Sequence, residues 1–262
     1  MKQPLVELNG VSVVRNGSQL LQPTTWKINP GEHWVVLGPN GSGKSTLLAI
    51  LSLKLWPSAG TMRFFDTSLP GSPVFPIQRR IGIFETRDPE SLAQNYPSLT
   101  ILDVVLFGLT GRLPLYSTPT TPQRQQAETL LREFLRLELP LTARFSHLSS
   151  GERRRVLLIA AFAAGPELLL LDEPFESLDI AAQFSIQDLL QELLQQIRAS
   201  VLVLHRLQEV PEFTTHAALL KQGQFWMSGP VERILTSENL SDTYGVSLQV
   251  NRRGNQYEWM RK

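Results

Sequence analysis

The chain has 262 residues, 42% of them apolar and 19% charged, an ordinary composition for a soluble globular protein that buries a sizeable core. A net charge of +1 gives no global reason to expect nucleic acid or an acidic surface as partner, and the absence of cysteine excludes disulfides and thiolate metal sites. MKQPLVELNG has no apolar stretch of signal-peptide length, and the longest apolar run, residues 156–165, is too short for a bilayer; the expectation is a cytoplasmic chain that does not cross a membrane unaided.

Residues 5–14 and 20–28 predict two strands around an Asn16-Gly17 turn. Residues 35–37 form a short buried strand, followed by a glycine-rich loop and an apolar helix over 46–53. A turn and a further strand follow over 56–65, then a loop rich in Pro, Gly and Ser at 68–76. The apolar residues Ile81, Ile83 and Phe84 mark a strand that exits into Glu85, Thr86, Arg87, Asp88, Pro89 and Glu90, read as a long charged loop. From about 98 to 147 the pattern is helical, broken at 117–122, with Leu130, Leu131, Phe134, Leu135 and Leu137 on one apolar face. After Pro166 a strand (168–171), a helix (181–197) and a strand (201–204) alternate, which implies a mainly parallel sheet with the helical stretch inserted in it. There is no internal repeat and no low-complexity tract.

Two stretches carry chemistry. GPNGSGKST (Gly38, Pro39, Asn40, Gly41, Ser42, Gly43, Lys44, Ser45, Thr46) fits a phosphate-binding loop. Its glycines let backbone N–H groups cradle phosphate oxygens, Lys44 reaches the β- and γ-phosphates, and the Ser45 hydroxyl ligates Mg²⁺. The loop lies between an apolar strand and a helix whose positive N-terminal end faces the same anion. LLLLDEP, residues 168–174, reads as a strand buried on both faces that delivers Asp172 and Glu173 to its carboxyl edge. Asp172 suits a Mg²⁺ ligand, while Glu173, one residue on, can orient and deprotonate a water. Hydrolysis of a nucleoside triphosphate needs that division of labour.

The segment between them, HLSSGERRRVLLIAAFAAGPELLLLDEP, resembles the signature-to-Walker-B segment of ATP-binding cassette ATPases. Leu148-Ser149-Ser150-Gly151-Glu152 stands where that family has LSGGQ, with Ser150 and Glu152 as departures. Glu176-Ser177-Leu178-Asp179 resembles the D-loop and His205 the switch histidine. The resemblance covers nearly the whole chain. It implies an α/β P-loop NTPase fold: a RecA-like, mainly parallel core with an antiparallel β subdomain and an inserted α-helical subdomain. On that reading, 1–97 and 151–235 form the core, 98–150 the helical subdomain and 236–262 a C-terminal extension.

What the resemblance implies for function is ATP hydrolysis with Mg²⁺ in a head-to-tail dimer. Ser149 and Gly151 then contact the γ-phosphate held by the other subunit, Asp179 reaches across the dimer, and His205 bonds the γ-phosphate and orients the water with Glu173. Ser149 is a plausible N-cap, and Arg153, Arg154 and Arg155 after it oppose the helix dipole, which makes sense if ATP faces them. Their alternative is a solvated basic cluster. Arg15 falls where many members stack an aromatic residue on adenine; it either stacks on the base or is a solvent-facing turn residue. Family alignment puts Thr86 where a glutamine usually helps hold Mg²⁺ and the attacking water. Gln94, eight residues on, offers the missing amide, so either Gln94 folds back to the metal or Thr86 lines the site.

The leading expectation is an ATPase subunit of a membrane transporter, peripheral on the inner face of the membrane, working with permease subunits and a second copy of itself. PGEHWVVLGPNGSGKSTLL, HRLQEVPEFTTHAALLKQG and TSENLSDTYGV look like importer ATPases of iron-chelate or molybdate type, for which a substrate-binding protein is a further candidate partner. The alternatives are a lipid or efflux ATPase, a soluble cassette protein on ribosomes or DNA, and a cassette that binds ATP without turnover. One phosphate loop and no long heptad run argue against the ribosomal or DNA reading, and no nucleic-acid partner is expected.

Overall fold

The computed structural model describes residues 3–85, 88–112, 118–136, 139–254 and 256–262. The chain runs β1 (Val6–Arg15), β2 (Ser18–Ile28), β3 (His33–Leu37), α1 (Lys44–Leu51), β4 (Ala59–Phe64), β5 (Thr67–Leu69), α2 (Phe75–Gln78), β6 (Ile81–Phe84), α3 (Asp88–Asn95), α4 (Ile101–Thr110) and α5 (Thr121–Phe134). It continues α6 (Ser150–Ala163), β7 (Leu168–Asp172), α7 (Ile180–Leu194), β8 (Ala199–Val203), β9 (His216–Lys221), β10 (Gln224–Pro230), α8 (Val231–Ile234), α9 (Ser237–Tyr244), β11 (Leu248–Arg253) and β12 (Gln256–Arg261). These elements fall into two compact units.

The first unit contains residues 1–81, 170–173 and 198–262. One of its layers is an antiparallel sheet in the order β2-β1-β4-β5. Its β1–β2 hairpin closes on Asn16 and Gly17, at φ 49° and 75°, the two left-handed residues that a tight hairpin turn requires. The other layer is mainly parallel: β3 pairs in parallel with β8 and with β9, β7 follows β8, and β10 folds back antiparallel on β9. Trp26 of β2 joins the layers, packing edge-on against Trp34 of β3 and at a 44° tilt against Phe225 of β10, both at 5.0 Å. The strand residues Val35, Val36, Leu170, Leu171, Val201, Leu202 and Val203 are fully buried, as their unbroken apolar runs require. A small β11–β12 hairpin ends the unit.

The second unit contains residues 82–169 and 174–197. Its central helix, α6, packs against α4, α5, α3 and α7. β6 takes the place beside β7, where Gly82 lets the Ala161 carbonyl and the Leu169 side chain approach to 2.3 Å and 2.8 Å of the position a Cβ would take. The stretch after β6 differs from its expected form. Residues 88–95 are helical rather than a charged loop, because Pro89 suits a first helical turn and Glu90 and Ser91 are compatible with the turns that follow. The segment 68–76 likewise holds the end of β5 and the start of α2 instead of loop throughout.

The contact between α4 and α6 is close enough to exclude any side chain at Gly108: a Cβ there would lie 2.1 Å from the Ala160 carbonyl oxygen and 2.8 Å from its Cα. Gly108→Ala should therefore force two helices apart and cost about 1–3 kcal/mol in a urea melt, despite alanine's better helix propensity. A midpoint equal to or above wild type would refute the close packing of these helices.

Candidate functional site

The loop after β3 turns back into α1, whose first residue is Lys44. No room exists for a Cβ at Gly38, where it would meet the Leu220 carbonyl oxygen at 2.2 Å, nor at Gly43, where the Leu20 carbonyl lies at 2.9 Å and φ is 101°. The loop is therefore fixed by backbone from β2 and β9: Gly223 N–H donates to the Ser42 carbonyl at 3.0 Å, and Gln22 N–H to the Gly223 carbonyl at 2.7 Å. Pro39 accepts from the Ser42 N–H at 3.2 Å. The Ser42 hydroxyl is buried beneath the loop.

Lys44 is 5% exposed and donates to the Gly38 and Pro39 carbonyls at 2.8 Å and 3.1 Å. Burial lowers its pKa below the ordinary lysine value, and the carboxylates of Glu173 and Asp172 oppose that shift. Asp172 ends β7 and Glu173 follows it. The Glu173 N–H donates to the Val203 carbonyl at 3.0 Å, which ties it to β8, while its φ of 50° turns its side chain out of the strand's alternation. A non-glycine residue held there is strained, a condition concentrated at functional sites. Its Oε1 meets His205 Nε2, just past β8.

Lys44, Glu173 and His205 share one cleft of about 560 Å³ with Asn40, Gly41, Ser42, Gly43, Ser45 and Thr46, whereas Gly38, Pro39 and Asp172 are not among its lining residues. It offers backbone N–H groups at a helix start, one ammonium, the hydroxyls of Ser42, Ser45 and Thr46 and a carboxylate–imidazole pair, a set that can hold a polyanion and activate a water beside it. Gln19, Leu20, Gln222 and Gly223 also line it, and none was singled out in the sequence. The only local signal was the Gln222-Gly223 turn between β9 and β10, with φ of 52° and 74°. Arg15, exposed at the end of β1, is not among the lining residues.

A second group of expected residues gathers in the second unit. Ser149 is the N-cap of α6: its Oγ accepts from the Glu152 N–H at 3.3 Å, and Glu152 Oε2 accepts from the Ser149 N–H at 2.7 Å. Glu152 thus closes a capping box. Gly151 leaves 3.0 Å between a would-be Cβ and the Ala182 Cβ. Asp179 is the N-cap of α7, accepting from the Ala182 N–H at 2.8 Å. Ser149, Gly151 and Glu152 line a cleft of about 380 Å³ with Ala181, Ala182 and Asp188.

Arg154 and Arg155 require a correction: neither is poised for a ligand at the α6 start. They are 3% and 7% exposed. Arg155 donates to the Phe134 carbonyl at 2.9 Å and 3.0 Å and to the Ser185 hydroxyl at 2.6 Å, and Arg154 to the Pro174 carbonyl at 3.4 Å. Burial lowers the pKa of both guanidinium groups, against nearby carboxylates that oppose it. Arg155 staples α5 and α7 to α6, and Arg154 ties α6 to the turn after β7. Gln94 lies exposed in the last turn of α3, in the second unit, whereas Ser45 and Asp172 belong to the first; Thr86 lies outside the described residues.

Residues 21–176 match the family model described as ABC transporter, and the chain belongs to that family. It is an ATP-binding, ATP-hydrolysing cassette. The manganese transport system ATP-binding protein MntB of Bacillus subtilis is 32% identical, with 93% of each chain covered. Among solved structures, an inward-facing metal-chelate type ABC transporter has 26% identity and a TM-score of 0.78, covering 99% of this chain and 98% of that one. A dimeric ATP-binding cassette bound to ADP and Pi has 25% identity and a TM-score of 0.72, covering 86% of this chain and 98% of that one.

Arg155→Ala should leave the Phe134 carbonyl buried without a donor and lower stability by about 2–4 kcal/mol, against at most about 0.5 kcal/mol for the half-buried Arg153→Ala. Chemical denaturation of the two variants measures the difference, and equal losses would contradict the stapling role.

Proposed function

We propose that the chain is the ATPase subunit of a membrane importer for a metal chelate or an oxyanion. It acts as a homodimer docked on permease subunits at the inner membrane face, with a substrate-binding protein upstream. The observation that carries the ATPase part is the Glu173–His205 pair in one cleft with the phosphate loop. The transport part draws support from the likeness to a manganese transport ATPase and to a metal-chelate type transporter.

Ser45 and Asp172 fit Mg²⁺: a hydroxyl at the first turn of α1 and a carboxylate at the end of β7 are hard oxygen donors, and this ion takes few protein ligands beside phosphate oxygens and water. Mg²⁺ there would neutralise charge on the transferring phosphoryl group. Lys44 and the N–H groups of Asn40–Thr46 hold the triphosphate. Glu173 takes a proton from the attacking water as that oxygen bonds to the γ-phosphorus and the bond to ADP breaks. His205 leaves Glu173 to bond the γ-phosphate when ATP is present, and so helps orient the water that Glu173 deprotonates.

In the dimer, Ser149 and Gly151 at the α6 start contact the γ-phosphate of the partner's nucleotide, and Asp179 crosses at the α7 start. Ile180 and Phe184, 75% and 56% exposed one turn apart beside Asp179, give that face apolar surface to bury. The helical segment 98–150 is the part that meets the permease. Gln94 and Arg15 serve as auxiliary groups, Gln94 relaying the hydrolytic state to the permease and Arg15 covering the base. On this reading Gln94→Ala uncouples transport from hydrolysis and Arg15→Ala raises the KM for ATP; unchanged transport stoichiometry and KM would remove both from the mechanism.

Glu173→Gln is the direct test: ATPase activity should fall by about a hundredfold or more while ATP stays bound and the dimer persists on a sizing column. Residual turnover near wild type would end the general-base assignment. Co-purification with ribosomes in place of a permease would end the transporter reading.

A further inference from the structure

The last elements of the first unit take no part in the reading above, yet they reach the root of the phosphate loop. Helix α9 packs against β9. Lys221 of β9 donates to the Asp242 carbonyl at 2.6 Å. The hydroxyls of Ser241 and Ser237 accept from the Leu248 and Val250 N–H groups, both at 2.9 Å, and so clamp the β11–β12 hairpin onto the helix. Tyr244, the final residue of α9, packs edge-on against Trp259 of β12, centroids 5.3 Å apart at 84°.

The Tyr244 hydroxyl is buried, and it makes no well-formed hydrogen bond. Burial pushes its pKa up to about 12, and the facing Gly38 backbone N–H offsets part of that rise. The group is therefore a neutral phenol whose oxygen can still accept a hydrogen bond. Gly38 is also where the loop leaves β3. Its carbonyl holds Lys44 Nζ at 2.8 Å, and the Leu220 carbonyl fills the space on its Cα. One peptide residue thus addresses the catalytic cation on one side and a buried phenol on the other.

We propose that Tyr244 is a positioning residue for the phosphate loop: its hydroxyl accepts a hydrogen bond from the Gly38 N–H as the loop tightens on a triphosphate, with Trp259 holding the ring in place. A buried hydroxyl without a good partner is destabilising by itself, and it becomes useful where a second conformation satisfies it. The C-terminal hairpin is then part of the nucleotide site at one remove. The inference rests on the reading of this loop as the ATP site.

Tyr244→Phe removes one oxygen and keeps the ring on Trp259. ATP binding, titrated without added magnesium, should weaken about threefold to tenfold, with KM raised by the same factor and kcat unchanged. The melting temperature measured without nucleotide should stay level or rise. Tyr244→Leu, which also loses the ring contact, should weaken binding at least as much and lower the melting temperature. Unchanged affinity and KM in Tyr244→Phe would overturn the proposal, and so would a lower melting temperature with KM intact, the mark of packing alone. Lys44→Ala separates the two layers of inference: if it binds ATP as wild type does, the loop is not the site, and the role of Tyr244 falls with it.

Discussion

A loop that binds phosphate through its own backbone must be held without side chains in the way, and here the holding is done by carbonyl groups. The Leu220 and Leu20 carbonyls occupy the space that a Cβ would need at Gly38 and Gly43. They come from β9 and β2, strands of the two different layers of the first unit. The phosphate loop is thus wedged at the seam of the layers, which the Trp26–Trp34 contact also joins. Everything the site does depends on this wedge, because amide N–H groups hold an anion well only when their directions cost nothing to set at the moment of binding.

The acid–histidine pair depends on the same parallel layer in a different way. A strand of four leucines can be buried on both faces only if its polar end lands at the sheet edge, and Asp172 and Glu173 are that end. The left-handed backbone at Glu173 is tolerated because its N–H still finds the Val203 carbonyl. The strain is local, and the ladder to β8 goes on absorbing it. His205 arrives from β8 itself, so carboxylate and imidazole are carried by adjacent strands and their separation follows from strand spacing.

The parts of this arrangement that could be read from sequence are those encoded by consecutive residues. GPNGSGKST leads from a loop into a helix and LLLLDEP from a buried strand to its acidic end, and Asn40–Thr46 of the first line one cleft with Glu173 of the second. Ser149 as a cap was legible because its partner stands three residues on. What escaped depends on distant chain. Three consecutive arginines read as a charged surface, but Arg154 and Arg155 find carbonyl acceptors at Pro174, Phe134 and Ser185 that no local pattern announces. Leu20 and Gln222 reach the nucleotide cleft only because two hairpins converge there. The helix at 88–95 was hidden by its charges, which say where solvent lies rather than which backbone conformation is adopted.

The departures from the family's signature also make sense locally. Glu152 in place of glutamine keeps the capping box and adds a carboxylate to the first turn, where the helix dipole favours negative charge. The substitution therefore strengthens the cap and leaves the serine oxygen oriented as before. Lys44 has a consequence of another kind. Two of its three N–H donors face the Gly38 and Pro39 carbonyls, so an arriving anion competes with two dipoles for them. A chloride or a single phosphate offers little more than it displaces, whereas a chain of phosphates engages the amides and the lysine together. A loop built this way gives the larger return to a molecule that carries several charges in a row, because each further phosphate meets another donor already in place.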